Sequence, residues 1–584
     1  MNLDEQQTAV VKSTSKNILC IAGPGSGKTR TLIERTAHLI EQNKVSPSEL
    51  VLFTFTRHAA QEMRTRLQDR IGDRARLVTI GTFHATALSL FHRFGDLIGY
   101  RTKNITVYGS FEEEFLLKEC ARGLGAYNGK TWRIPKKVIM EAFDRYYHNG
   151  VTPKEGHPGY SLFKEFNART KENNSMTYGD LLVRLRELLP QISKHLNWKH
   201  IMVDEAHDNN LIQWELVLKI QEDCNASLFV VTDLDQSIYK WRGAFPEWIL
   251  NHQKDFDVYK LESNYRSSPE IVEASNRLIE HNTERIPKNM RATRYQDQIA
   301  DAIEIIPSSD SSSIASLISS IRVYDGRGMT VLSRIHALLD KVALKLTELN
   351  IPHVKIGRKT ALVESEEFRK FHAFLKLLVN PYDNFSFLLL RDLIGVTREE
   401  YNKIRLQATQ EGKSHFQTWV NSIHLACLKD AFLDFFEVAI HEDLGPALVD
   451  IYKFYPQEDV KNFIWDWHKK NPFGTIQEYL DYLATYDLQD EIEDHGGKVQ
   501  LMTIHAAKGL EFPAVIVAGC NEGILPSKQA VNSGEIEEER RLMYVAMTRA
   551  KDQLILAVRP ERKEDDFGRV HESPVSRFIK EIEG

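Results

Sequence analysis

Residues 17–33 read NILCIAGPGSGKTRTLI. Ile18 to Ile21 form an apolar run of the kind that builds a short buried strand. A glycine-rich turn follows, and Lys28-Thr29 opens a helix. Strand, glycine turn and helix in that order are what a phosphate-cradling loop requires. The glycines let backbone N–H groups turn inward, and the helix N-terminus adds partial positive charge. Lys28 is placed to reach β- and γ-phosphates, and Thr29 to hold Mg²⁺. The strict pattern has Gly where this chain has Ala22, but Gly25 and Gly27 remain. The chain is therefore expected to bind a nucleoside triphosphate.

Length and composition set the frame around that loop. The 584 residues suffice for about three or four domains. An apolar content of 42% supports ordinary packed cores rather than disorder. No stretch approaches the apolar length of a membrane span, and MNLDEQQTAV lacks the features of a secretion signal. The five cysteines, Cys20, Cys120, Cys224, Cys427 and Cys520, make no CxxC pair, which argues against a zinc or iron–sulfur site and a disulfide framework. These features lead to the expectation of a soluble, cytoplasmic protein. The net charge of −6 is unevenly spread. Residues 356–494 carry 15 Lys+Arg against 24 Asp+Glu, a net −9, which leaves +3 on the rest. A mildly basic body beside an acidic insertion suits a protein that grips phosphates.

Along the chain, Leu3 to Val10 reads as a helix whose Gln6 carries the donor and acceptor needed to read an adenine edge. Leu50 to Phe55 and Val78 to Phe83 read as strands flanking an amphipathic helix over Arg57–Ile71, so a parallel sheet is expected. Ligands on such sheets bind at the carboxyl ends of strands, where Phe55, Thr82 and His84 fall. A lone phenylalanine there is more often core than a stacking surface. From about Gly95 to Lys199 the reading is helical, without motifs. An apolar strand then ends in Asp204-Glu205, the second half of a nucleotide-hydrolysing site: Asp204 for Mg²⁺, Glu205 for the attacking water. Ser227 to Asp233 reads as another strand, followed by Gln236, placed to sense a γ-phosphate. Immediately beyond, Tyr239, Trp241 and Arg242 form an aromatic–basic run read as a stacking platform for unpaired bases. A second sheet is expected from Ala302–Ile306, Met329–Ser333, Ile351–Ile356, Val499–Ile504, Ala514–Gly519 and Leu554–Val558. Pro307 to Ser313 is a polar loop, and His495-Gly496-Gly497 marks the exit from the acidic helical insertion.

At this point the residues resemble the UvrD/Rep-type superfamily 1A DNA helicases. AGPGSGKT (22–29), TFTRHAAQEM (54–63), GTFH (81–84) and VDEAHD (203–208) are similar to motifs I, Ia, Ib and II. DLDQSIYKWRGA (233–244), NYRSSPEI (264–271), MTIHAAKGLEF (502–512) and EEERRLMYVAMTRAK (537–551) follow as motifs III to VI. The resemblance implies an α/β fold of two RecA-like P-loop NTPase domains with parallel sheets, each carrying an inserted helical subdomain. Domain 1A would span 1–95 and 196–260, with insertion 1B at 96–195. Domain 2A would span 261–355 and 495–584, with the acidic insertion 2B at 356–494. ATP would lie between the domains, cradled by Ala22, Gly23, Pro24, Gly25, Ser26, Gly27, Lys28 and Thr29. Gln6, Arg30 and Tyr265 would hold the adenine and Glu511 the ribose. Lys28, Asp204, Glu205 and Gln236 would act on the phosphates, with Arg266 and Arg549 as arginine fingers. Phe55, Thr82, His84, Tyr239, Trp241, Arg242 and His505 would line the DNA path. The implied activity is ATP- and Mg²⁺-dependent 3′–5′ movement on single-stranded DNA and unwinding at single-strand/duplex junctions, in repair, replication or recombination, by a monomer or weak dimer, with repair or replication proteins as partners.

Three departures qualify the resemblance. Motif II is Asp204-Glu-Ala-His-Asp208 where the family has DEFQD, so His207 is expected to take over the contact of a glutamine. DEAH also marks superfamily 2 RNA helicases, but their S-A-T and Q-R-x-G-R-x-G-R runs are missing from the sequence. Motif Ia has Arg57-His58 in place of Asn-Lys, keeping a phosphate-gripping cation. Motif VI ends 33 residues before the last residue, which leaves no room for a nuclease in this sequence. The acidic insertion is expected to regulate or contact proteins rather than grip DNA. Two further readings stay open here: a translocase that strips proteins from single strands with little unwinding alone, and a non-motor nucleotide switch.

Overall fold

The computed structural model describes residues 3–294, 302–306, 310–325, 329–356, 362–363, 365–422, 443–484, 498–559, 562–564, 570–572 and 574–583. The 495–497 exit and part of the 307–313 loop lie outside them.

The first lobe is built on a six-stranded parallel sheet: β1 (Asn17–Ala22), β2 (Leu50–Thr54), β3 (Thr79–Thr82), β4 (His200–Val203), β5 (Ser227–Thr232) and β6 (Asp257–Leu261). Their order across the sheet is β3-β2-β4-β5-β1-β6. β1 lies between β5 and β6, pairing Leu19 with Val230 on one side and with Val258 on the other. Both faces are covered, so the strand reads as an unbroken apolar run. Leu19 and Ile21 pack into one core, and Ile18, Cys20 and Ala22 into the opposite one. The edge strand β6 has no sequence signal, because Asp257, Val258 and Lys260 are exposed and only Leu261 is buried. It extends the first lobe slightly past the expected boundary at residue 260.

The second lobe repeats the plan with β7 (Ile303–Ile306), β8 (Met329–Ser333), β9 (His353–Lys355), β10 (Val499–Thr503), β11 (Phe512–Ala518) and β12 (Ala550–Ala557). The order is β7-β12-β11-β8-β10-β9, again parallel throughout. Apart from β6, the apolar runs place the strands of both lobes, with ends shifted by a few residues.

The expected limits of the first insertion need one correction. Its last helix, Tyr178–Ile192, packs Leu181, Leu185, Leu188 and Ile192 into the same core as Leu19 and Val51. That helix floors the first sheet and is not a separate appendage. The rest of the insertion has its own core around Phe143, Phe163 and Phe166.

The acidic insertion is helical and has a core of Phe371, Phe374, Trp419, Leu448, Ile464 and Tyr479. It does not stand apart from the first lobe. Tyr108 Oη donates to Asp383 Oδ1 at 2.7 Å, and Asn380 Nδ2 donates to Thr106 Oγ1 at 3.1 Å and the Asn173 carbonyl at 2.8 Å. Lys376 pairs with Glu112, and Phe385 joins the aromatic core of the first insertion. Arg57, the motif Ia cation, lies 4.3 Å over the Tyr482 ring and donates to the Tyr482 carbonyl.

One contact of this seam is pH-dependent. His92 faces the Thr102 carbonyl through Nδ1 at 3.2 Å and Asp481 through Nε2 at 3.0 Å, so both bonds form only on the imidazolium. Burial opposes the charge, but Asp481 and the carbonyl outweigh it and hold His92 above its ordinary range. A raised folded-state value means the contribution is fully present below the unfolded value of about 6.5 and is lost as pH rises through the folded one. The thermal-midpoint difference between wild type and Asp481→Asn should therefore be largest near pH 6 and shrink by about pH 9. A difference independent of pH would remove the ion pair from the seam.

Candidate active site and nucleic-acid interface

The phosphate loop leaves β1 and enters the helix Lys28–Glu41. Gly25 and Gly27 have φ of +67° and +79°, which favour glycine. A Cβ at Gly25 would also meet Arg266 Cβ at 2.7 Å, so the second lobe's approach depends on that glycine. Ser26 Oγ donates to the Gly23 carbonyl at 2.7 Å. Gln7 braces the loop, donating from Nε2 to the Ser26 carbonyl at 3.0 Å. Its neighbour Gln6, expected at the adenine edge, accepts the Glu262 N–H through Oε1 at 2.9 Å. Tyr265 is 39% exposed at the rim; its N–H donates to the Gly25 carbonyl at 2.9 Å and its hydroxyl to Asp4. Arg30 is close enough to act on the Tyr265 hydroxyl electrostatically.

Lys28 Nζ lies 3.4 Å from Glu205 Oε1. Glu205 itself has φ of +48°, a strained turn that follows β4 and sets the two carboxylates at its end. Asp204 Oδ1 is buried without a hydrogen-bond partner. Burial, and then the Glu205 charge, push the Asp204 carboxyl up to about 7. An unpartnered acidic oxygen next to another carboxylate is a place short of positive charge.

Gln236 connects the lobes. Its Nε2 donates to Asp233, and its Oε1 accepts from Arg549 Nη2 at 3.1 Å. Arg549 is 1% exposed and also donates to the Val545 and Leu510 carbonyls at 3.0 and 3.1 Å. Burial, and then the Arg266 charge, lower its guanidinium to about 9. Arg266 donates to Glu511 at 2.7 Å and to the Thr548 carbonyl at 3.2 Å. Glu511, expected to hold a ribose, is engaged by two cations, Arg266 and Lys551, the latter at 2.6 Å. Burial would raise its carboxyl, but these cations pull it down to about 2. Sequence reasoning missed Lys288 and Arg285, which bind the motif III acids. Lys288 donates to Asp233 Oδ1 at 2.6 Å and Arg285 grips Asp235 at 3.0 and 2.8 Å. Neither residue falls in a motif; only the tertiary contact reveals them.

Two residues beyond Gln236, at Ile238, begins a cavity of about 500 Å³, lined among others by Tyr239, Trp241, Arg242, Arg334, His336 and His505. Trp241 is 63% exposed, with the Arg242 guanidinium 4.7 Å above its ring. Tyr239 corrects the expected platform. It is buried, stacked on Phe55 at 5.2 Å, with its hydroxyl donating to the His505 carbonyl at 3.1 Å. It forms the floor of the cavity and leaves Trp241 as the exposed ring. His505 is pushed down to about 3 by burial, then by Arg334 and Arg242, and presents a neutral imidazole. Thr82 and His84 are not among the lining residues. The Thr82 hydroxyl caps the next helix by accepting the Ala85 N–H at 3.1 Å, and His84 stacks on Tyr178 at 3.8 Å. The chain turns into the helix Phe83–Phe94 at that strand end.

A second basic surface escaped the motif reading. Arg122, Lys130, Arg133, Lys136 and Lys137 are exposed on the first insertion, in a stretch without acids from 120 to 140. Tyr127 and Trp132 pair in the same loop, with ring centroids 4.8 Å apart. Interleaved cations and aromatics were the available signal. Among the described residues no helix is long and apolar enough to cross a membrane.

Comparison with known proteins agrees with this arrangement. Residues 3–257 match the UvrD/REP helicase N-terminal domain, and residues 259–486 and 466–560 match the UvrD-like helicase C-terminal domain. A Leuconostoc citreum protein named ATP-dependent DNA helicase PcrA is 30% identical, over 99% of this chain and 84% of its own length. Proteins of the same name from Staphylococcus epidermidis and Staphylococcus aureus are 28% identical over 100% of this chain and 86% of theirs. With two parallel-sheet lobes, a shared pocket at their strand ends and both halves matched in order, this chain belongs to the UvrD/Rep helicase family.

Proposed function

We propose that this chain is an ATP-driven DNA helicase that tracks along single-stranded DNA, 3′ to 5′, and opens duplex ahead of it. The observation that carries the reading is the bond between Arg549 of the second lobe and Gln236 of the first. A nucleotide held by the phosphate loop then meets a cation from the opposite lobe, and hydrolysis depends on how the lobes sit. The Trp241 cavity starts a few residues from Gln236, so the same movement changes the grip on a strand.

In this reading Lys28 holds the β- and γ-phosphates, Glu205 orients the attacking water, and Arg266 and Arg549 take up transition-state charge. Gln6, Arg30 and Tyr265 flank the base. Mg²⁺ fits the same site: Thr29 opens the helix and the buried Asp204 Oδ1 has no protein partner. The bound ion supplies charge neutralisation at the phosphates. Trp241 stacks an unpaired base, Arg242 and Arg334 meet phosphates, and the basic loop around Lys130 meets the duplex at a junction. Stacking is worth about 1–3 kcal/mol per base and an average base-pair step about 1.4 kcal/mol, so a step of one stacked base is matched to opening one pair. The setting is the bacterial cytoplasm, with a monomer or weak dimer acting beside repair or replication proteins.

Two measurements test this. ATP turnover should rise on adding poly-dT, and a 3′-tailed duplex should be unwound where a 5′-tailed one is not. Unstimulated turnover would overturn the motor; stimulated turnover without strand separation would favour a translocase that displaces proteins. Trp241→Ala should weaken oligo-dT binding roughly 5- to 150-fold, the loss of about one stacked base. Unchanged anisotropy titrations would move the strand elsewhere.

A further inference from the structure

His207 replaces the glutamine of the family pattern in motif II, and its ring is completely buried between the lobes. Its Nδ1 accepts the backbone N–H of Asp233 at 3.0 Å. A backbone amide cannot give up that role, so the neutral imidazole carries its proton on Nε2. Two groups lie within reach of that N–H. Lys508 Nζ is 2.9 Å away, on the second lobe, and Glu205 Oε2 is 3.4 Å away, on the first.

Lys508 does not need the imidazole. It donates to Asp208 Oδ1 at 2.7 Å, to Asp208 Oδ2 at 2.5 Å and to the Gln236 carbonyl at 2.8 Å. An ammonium has three N–H groups, and these are three acceptors. Its position beside Nε2 therefore crowds the imidazole N–H while the longer contact to Glu205 stays weak. A shift of the second lobe that draws Lys508 back leaves two carboxylates beside Nε2–H, Glu205 Oε2 at 3.4 Å and Asp208 Oδ1 at 3.7 Å, of which Glu205 is the nearer.

We propose that His207 is a positioning residue whose Nε2–H, blocked by the Lys508 ammonium of the second lobe, is freed to bond Glu205 of the first when the lobes shift, tying the hydrolytic carboxylate to lobe position. No proton is transferred; an N–H that the ammonium cannot accept gains a carboxylate acceptor. The bond fixes Oε2 of Glu205, while Oε1 lies 3.4 Å from Lys28 Nζ. A glutamine does the same, since its amide oxygen accepts the Asp233 N–H while its amide nitrogen donates to Glu205. The inference rests on the ATP-driven motor reading and adds to it how the carboxylate senses the second lobe.

The test compares His207→Gln, His207→Asn and His207→Leu in the full chain, measuring basal and poly-dT-stimulated turnover, KM for ATP and affinity for oligo-dT. Asparagine carries the same amide on a shorter stem and falls short of Glu205. His207→Asn and His207→Leu should lose stimulated kcat by about tenfold or more, the effect of one hydrogen bond to a charged group. KM and oligo-dT affinity should stay within about twofold, and His207→Gln should stay within about threefold of wild type. Wild-type stimulation in His207→Asn would overturn the proposal. So would equal losses in Gln and Asn, which would mark the ring as packing only, or a parallel fall in DNA affinity. If the Leu variant does not fold, the Gln–Asn contrast decides. Failure of poly-dT to stimulate the unaltered chain overturns the motor reading itself, a result read before any variant is made.

Discussion

Arg549→Ala should lower DNA-stimulated ATP turnover by about 10³-fold or more, the range of an arginine finger. The guanidinium reaches the first lobe from the second and holds Gln236, so its loss removes charge at the transferred phosphoryl and unties the sensor. The effect should fall on kcat, with KM for ATP little changed, because the interaction matters most in the transition state. Arg549 is also structural: its donors serve the carbonyls of Val545 and Leu510 in a buried site. The Val545 carbonyl keeps the Thr548 hydroxyl at 3.1 Å, but the Leu510 carbonyl loses its guanidinium partner at a cost of about 1–3 kcal/mol, so thermal stability must be measured alongside. Arg549→Lys separates the roles: it retains charge and much of the packing but lacks the planar fork that serves several acceptors. It should fold and still turn over ATP far below wild type. Near-normal single-turnover rates in Arg549→Lys would remove the finger from the mechanism.

Lys28→Ala should reduce turnover by about 10²- to 10³-fold through loss of a charged donor on the phosphates. The electrostatics add a second effect. Lys28 lies beside Glu205 and lowers the Asp204 carboxyl against burial and the Glu205 charge. Without the ammonium, Asp204 resists ionising further, and the affinity for a divalent cation should fall with that for ATP. Titration of a fluorescent ATP analogue at several Mg²⁺ concentrations reads both. Oligo-dT binding without nucleotide should be unaffected, since Lys28 is not among the residues lining the Trp241 cavity. Loss of both together would mean that the two sites are not separable and that the variant has lost its fold.

Local chemistry made much of this legible in advance. Ile18 to Ile21, Leu50 to Phe53 and Ile201 to Val203 are buried on both faces of a parallel sheet, so their apolar runs identify strands and ends within a residue or two. The glycines at 25 and 27 carry the positive φ that the loop requires. The edge strand Asp257–Leu261 was invisible because solvent on one side permits the polar residues that hide its period.

What the amino-acid order determined by itself is the part in which function depends on neighbours along the chain: a strand, a glycine turn and a lysine; a strand ending in two acids; an aromatic–basic run. These need only a few residues of backbone geometry to place their groups. Tertiary structure decided everything that depends on residues far apart in the chain. It buried Tyr239 and left Trp241 exposed, occupied Glu511 with two cations, and recruited Lys288 and Lys508 to the motif acids. It also laid the acidic insertion against Arg57 of the first lobe. The reason is physical: a side chain's exposure, charge balance and hydrogen-bond partner are set by groups tens to hundreds of residues away, and burial makes each such contact strong without leaving a mark in the local pattern.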